Sequence, residues 1–189
     1  MIEIDAHWVD QARQGDTAAF RRLVDAHARA LFVLCERITR DAQLAEDAVQ
    51  ETFWKAWKAL AEFDGRAAFS TWLHRIAVNA ALEQLRRNAR HRVELTEAVQ
   101  ANEDDDFLGA IGDDEPGPDD HARGAEIGRR LAAQMHQLSA LERSAFVLRH
   151  HEGESLEHIS ATLDMTVGQS KQAIFRAVRK LRGALQPWR

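Results

Sequence analysis

Tyrosine is absent from this sequence, cysteine occurs once and proline three times in 189 residues. Each scarcity excludes something. A single cysteine leaves no disulfide framework, and Cys35, set within an apolar helical pattern, reads as a buried structural thiol in a reducing compartment. With few prolines and no alternating β-branched runs, the marks of strands and hairpins are missing. No apolar run reaches the roughly 18 residues that span a bilayer, and the acidic start MIEIDAHWVD lacks the basic and apolar pattern of a signal segment. The expected location is the cytoplasm, without membrane insertion.

The marks of catalysis are missing too. There is no Gly-rich phosphate cradle, nucleophile elbow or Cys-His arrangement, and the nine histidines show no i, i+4 pairing with Glu of the zinc-protease kind. Glu46 and Asp47 are adjacent, so a helix splays them about 100° apart. Neither an enzyme, a metal site nor a cofactor is expected.

What is present is 45% apolar content and an abundance of Ala, Leu, Arg, Glu and Gln, which predicts an all-α protein of one or two small domains. The net charge of −5 is unevenly spread: residues 1–92 carry +1, residues 93–126 carry −11 and residues 127–189 carry +5. The acidity therefore sits in a middle segment containing EDDD and DDEPGPDD, which reads as a flexible linker dividing two domains. It lacks the spacing of an EF-hand loop.

In chain order, Asp5–Gln14 reads as a short helix ended by Gly15, and Asp16 caps a longer one, Thr17–Ile38. Asp41 opens a helix to about Ala61 whose inward face is Ala45, Val49, Phe53, Ala56, Trp57 and Leu60. A second stripe, Leu44, Asp47, Glu51, Trp54 and Lys58, points elsewhere, and an indole among charges has the composition of a partner contact. Phe63–Arg87 runs from a loop into a helix with Trp72, Leu73, Ile76, Ala77, Ala80 and Leu85 on its apolar face. Phe63, Gly65, Arg66 and Phe69 cluster at the helix entry, where rings can stack on unpaired bases and Arg66 can meet phosphate. The bland alternative is a core helix and its lead-in.

After the linker, Glu126–Leu138 reads as one helix and Ser139 with Glu142 as a capping box for Ala140–His151. Ser155 caps Leu156–Leu163, a turn at Asp164 and Met165 follows, and Thr166 with Gln169 caps a helix ending before Pro187. Two helices joined by a tight turn form a helix-turn-helix pattern. Packing by Ile159, Leu163, Val167, Ile174 and Leu181 leaves Gln169, Ser170, Lys171, Gln172, Arg176, Arg179 and Lys180 for base edges and phosphates.

These stretches resemble one family. AEDAVQETFWKAW at 45–57 is similar to the polymerase-binding helix of the extracytoplasmic-function class of bacterial RNA polymerase sigma factors, and FSTWLHRIAVNAALEQLRR at 69–87 to its promoter-melting segment. Residues 138–182 are similar to its C-terminal helix-turn-helix. The resemblance implies a region 2 domain at 1–92, a linker at 93–125 and a region 4 domain at 126–189, both domains acting on core RNA polymerase and promoter DNA. It implies a monomer controlled by an anti-sigma factor or by a Ser/Thr kinase. Leu44, Asp47, Gln50, Glu51 and Trp54 would face polymerase. Phe63, Gly65, Arg66 and Ala67 would receive a flipped base of the non-template strand, with Trp72, Asn79, Arg86 and Arg87 on the same DNA side. Leu44 stands where the family carries an acidic residue, so the stripe lacks one negative charge, and Thr52, beside Glu51, is a candidate phosphorylation site that would restore it. A free-standing helix-turn-helix regulator, or an adaptor that binds only protein, would fit the helices without the polymerase.

Overall fold

The computed structural model describes residues 2–99 and 134–185, with the side chains of residues 6–91 and 134–182. The described residues are helical: α1 (Ile2–Arg13), α2 (Thr17–Thr39), α3 (Ala42–Ala59), a 3₁₀ turn at Leu60–Glu62, α4 (Phe69–Val99), α5 (Ala140–His150), α6 (Leu156–Leu163) and α7 (Val167–Leu185). The all-α expectation holds. No described helix is long and apolar enough to cross a membrane.

The helices start where the sequence supplies a cap. The Asp16 carboxylate accepts from the backbone N–H groups of Ala18 (2.8 Å) and Ala19 (3.1 Å), and Asp41 accepts from Leu44 (3.0 Å), satisfying donors that a helix start leaves open. Ser139 and Glu142 make the reciprocal capping box of α5, and Thr166 and Gln169 do the same for α7. Gly15, at φ +93°, turns the chain from α1 into the Asp16 cap, a conformation that favours glycine.

α2, α3 and α4 pack on one another around Leu23, Leu31, Leu34, Ile38, Leu60 and Leu73, and α1 lies along α2. Cys35 is buried there with its Sγ 3.8 Å from the Ala77 carbonyl oxygen, and burial pushes its thiol up to about 12. In the second unit α5, α6 and α7 enclose Val147, Leu148, Ile159, Ala177 and Leu181. The turn between α6 and α7 places Asp164 at φ +52°.

The two units meet. Arg143 of α5 is buried, its Nε donating to the Ile38 carbonyl at the end of α2 and a terminal nitrogen donating to the Met135 carbonyl at 3.3 Å. Burial and the neighbouring Arg40 lower its pKa. Arg37 pairs with Glu152 at 3.5 Å across the same seam. His74 of α4 is held below its ordinary range by burial, against the pull of Glu152 and Glu154.

One boundary differs from expectation. α4 continues to Val99, past residue 93 where the linker was placed, and residues 100–133 lie outside the described residues. Of the helix expected over Glu126–Leu138, only its last turn falls within them.

Candidate nucleic-acid interface

The loop between the 3₁₀ turn and α4 is built on aromatic packing. Phe63 sits with its ring centroid 5.9 Å from Phe69 and 5.0 Å from Trp72, and Phe69 lies 5.6 Å from Trp72. Phe63 is 8% exposed and Phe69 6%, which corrects the expectation that they present open stacking surfaces. They anchor the loop. Trp72 is half-buried in the same group. Gly65, at φ +70°, then reverses the chain, and Asp64 accepts from the Arg66 backbone N–H at 3.0 Å while pairing with its guanidinium at 3.1 Å. Arg66 and Ala67 are left exposed at the rim. Gly65, Arg66, Ala67, Phe63 and Phe69 line a cleft of about 370 Å³ whose other wall is α1, through Ala6, Val9, Asp10 and Arg13. Asn79 and Arg86 are exposed farther along α4.

The stripe on α3 divides in two. Trp54 is 58% exposed with the Lys58 ammonium 3.6 Å from its ring centroid, and Gln50 is exposed, with Leu44 and Asp47 half-buried beside them. Asp47 accepts from Gln43 at 3.4 Å. Glu51 is different, because it is paired with Lys55 (2.8 Å) and Arg87 (3.3 Å) and accepts from Gln84 (2.9 Å). Arg87 also binds Glu83, and Lys55 binds Glu83 at 2.9 Å. Hydrogen bonds from Lys55 and Arg87 hold the Glu83 carboxyl below its usual range. Glu51 and Arg87, expected on two separate surfaces, thus join α3 to α4. Trp57, expected inward, is 38% exposed with its ring centroid 4.8 Å from that of Phe20.

Thr52 is the clearest correction. Its side chain is 0% exposed, among the core residues of α3, and its hydroxyl donates to the Ala48 carbonyl at 2.6 Å. A kinase cannot reach a hydroxyl enclosed in this way, so the structure does not present Thr52 as a phosphorylation site.

On α7 the buried line is Ser170, Ala173, Ala177 and Leu181. Ser170, expected to face DNA, is 0% exposed and donates to the Thr166 carbonyl at 3.2 Å. Lys180, also expected free, binds Glu142 at 2.6 Å. Gln169, Lys171, Gln172, Arg176 and Arg179 are exposed as expected, and among them stands Phe175 at 65% exposure. Sequence reasoning missed Phe175. At 100° per residue it lies opposite the buried line, so a helical projection would have found it. Gln169, Gln172 and Arg176 also border a cleft of about 610 Å³ that reaches Arg86 of α4.

An exposed Phe among Gln, Lys and Arg side chains combines donors for base edges and phosphates with an apolar group for a thymine methyl. The loop and α1 cleft supplies an aromatic-backed recess beside the exposed Arg66, suited to an unstacked base.

Comparison with known proteins gives two family regions in order. Residues 23–91 match Sigma-70 region 2 and residues 128–181 match Sigma-70, region 4. The RNA polymerase sigma-H factor of Pseudomonas aeruginosa is 37% identical over 98% of this chain and 95% of its own length. The ECF RNA polymerase sigma-E factor of Haemophilus influenzae is 33% identical over 97% of this chain and 96% of its own. Among solved structures, the sigma factor RpoE of Bartonella quintana, in complex with the anti-sigma factor NepR, is 26% identical with a TM-score of 0.66, covering 90% of this chain and 98% of that one. CnrH, in complex with the cytosolic domain of CnrY, is 26% identical with a TM-score of 0.63, covering 98% of this chain and 99% of that one.

Proposed function

From the premise that this chain belongs to the sigma-70 family, in its extracytoplasmic-function class, we propose that it binds bacterial core RNA polymerase and directs it to specific promoters. The observation that carries this is likeness to sigma factors along 98% of the chain, with region 2 and region 4 in order. It favours a polymerase subunit over a free-standing helix-turn-helix regulator. The chain works as a monomer in the cytoplasm, where the polymerase is, and contributes binding rather than catalysis.

Trp54, Gln50, Asp47 and Leu44 form the polymerase contact, a surface whose exposed indole suits the centre of a protein interface. Glu51 and Arg87 support it from behind by tying α3 to α4. The loop at Gly65–Ala67, with Asn79 and Arg86, receives the melted non-template strand, and Phe63, Phe69 and Trp72 hold that loop in shape. Gln169, Lys171, Gln172, Phe175, Arg176 and Arg179 read the upstream promoter element from the major groove. The burial of Thr52 favours control by a protein inhibitor, as in the RpoE and NepR pair, over a kinase acting at that residue.

The test is footprinting of promoter fragments with and without core polymerase. Protection that needs both core and this chain, and that is lost on Trp54→Ala, fits the proposal. Protection of a palindrome by this chain alone would support the free-standing regulator.

A further inference from the structure

The reading helix α7 is not open on every side. α5 packs on α2 and α6 on α4, so the second unit is seated against the first. As a result Gln169, Gln172 and Arg176 share a cleft of about 610 Å³ with Arg86 of α4. A helix that reads bases lies in the major groove, about 12 Å wide, with a phosphate backbone along each flank. A cleft of this volume is the size of a small-molecule pocket and leaves no room for one flank of a duplex on the α4 side. The seating is held by polar contacts at the end of α2. That helix ends with carbonyls it cannot satisfy itself, and the Ile38 carbonyl takes its donor from Arg143, which is 6% exposed. Arg37, one position earlier, pairs with Glu152 at 3.5 Å. Once the units part, these groups turn to water, so the seam opens without leaving a buried polar group unpaired.

Resting on the reading of α7 as the helix that enters the major groove, we propose that this seam is an autoinhibitory latch, held by Arg143 on the Ile38 carbonyl and by the Arg37 and Glu152 pair. Closed, it sets α4 in the path of the duplex and keeps the free chain off the upstream element. Separation of the two units frees both flanks of α7. Apparent affinity falls with the fraction of molecules that are open, so a latch closed in about nine free molecules of ten weakens duplex binding about tenfold.

The experiment uses the full chain without core polymerase, at one salt concentration, and a labelled duplex carrying the upstream element of a promoter footprinted with core present. Fluorescence anisotropy gives the affinity and small-angle X-ray scattering the radius of gyration. Circular dichroism confirms that each variant is folded, and the half-exposed Arg37 supplies a second variant where Arg143→Ala alone would disturb α5. Arg143→Ala and Arg37→Glu should each enlarge the radius of gyration and tighten duplex binding about tenfold. Both remove positive charge, so a general electrostatic effect would weaken binding instead. Adding Glu152→Arg to Arg37→Glu restores an opposite-charge pair and should return both readings toward wild type. Variants that expand while their affinity stays the same or falls overturn the masking of α7. Variants that stay compact with unchanged affinity overturn the assignment of the latch to these contacts. A gain that survives the further change Arg176→Ala overturns the reading of α7 itself, and this proposal with it, whereas a gain lost with Arg176→Ala supports both.

Discussion

Replacing Thr52 by Glu tests the burial of α3 directly. The native side chain is 0% exposed and its hydroxyl is satisfied within its own helix, by the Ala48 carbonyl at 2.6 Å. Glutamate adds two heavy atoms and a charge to a site with no cation bonded to it. An uncompensated buried charge costs about 3–5 kcal/mol, and overpacking adds to it. Even the lower figure corresponds to about a 12 °C fall in Tm, at roughly 4 °C per kcal/mol for a small domain. Thr52→Val keeps the shape and forfeits one hydroxyl bond, so it should stay within about 1 kcal/mol of wild type. Thermal melting followed by circular dichroism, with urea titration for free energies, separates the two variants. A Thr52→Glu chain that melts with the wild type and binds core polymerase more tightly would refute the burial argument and return Thr52 to the candidates for modification.

Other expectations follow from single contacts. Cys35, with its thiol pushed up to about 12, should resist a thiol reagent at pH 8 in the folded chain and react at once in urea; equal rates in both would contradict its burial. Arg143→Ala removes a donor from the Ile38 and Met135 carbonyls and should cost about 2–3 kcal/mol by urea unfolding, whereas a loss under about 0.5 kcal/mol would show that the guanidinium does not hold the seam. Because burial lowers the His74 pKa in the folded chain, the unfolded chain takes up that proton first, and stability should fall as pH drops through about 6.5. His74→Gln should flatten that slope, and an identical slope in both proteins would count against it. Phe175→Ala should leave Tm unchanged, since the ring is 65% exposed, yet weaken upstream-element binding by about fivefold, near 1 kcal/mol. Unchanged affinity would remove Phe175 from the reading face.

The helix starts were legible because their chemistry is local. Asp16, Asp41, Ser139 with Glu142, and Thr166 with Gln169 bond to backbone groups two or three residues away, and nothing distant can move them. Burial was less legible, for two physical reasons. A hydroxyl in a helix can satisfy itself on the carbonyl one turn back, so Thr52 and Ser170 could be buried despite their polarity. Small side chains also go where helices press closest. The core line of α3 is Ala45, Ala48, Thr52 and Ala56, a stripe that a search for large apolar residues passes over in favour of Phe53 and Trp57. Loop and surface assignments had a third difficulty. Phe63 finds its partners six and nine residues away, and Glu51 finds Arg87 on another helix, contacts that follow only from the packed bundle. The α1 wall of the cleft belongs with these, since Asp10 and Arg13 reach the loop only after the chain has turned through α2, α3 and the 3₁₀ segment.

The central claim is tested most directly by multi-round transcription with purified bacterial core polymerase on a pool of genomic fragments, with and without this chain. Discrete transcripts that appear only when it is added, and disappear with Trp54→Ala, are the result expected of a sigma factor. A chain that binds the same fragments unaided while core polymerase stays silent in its presence would contradict the account.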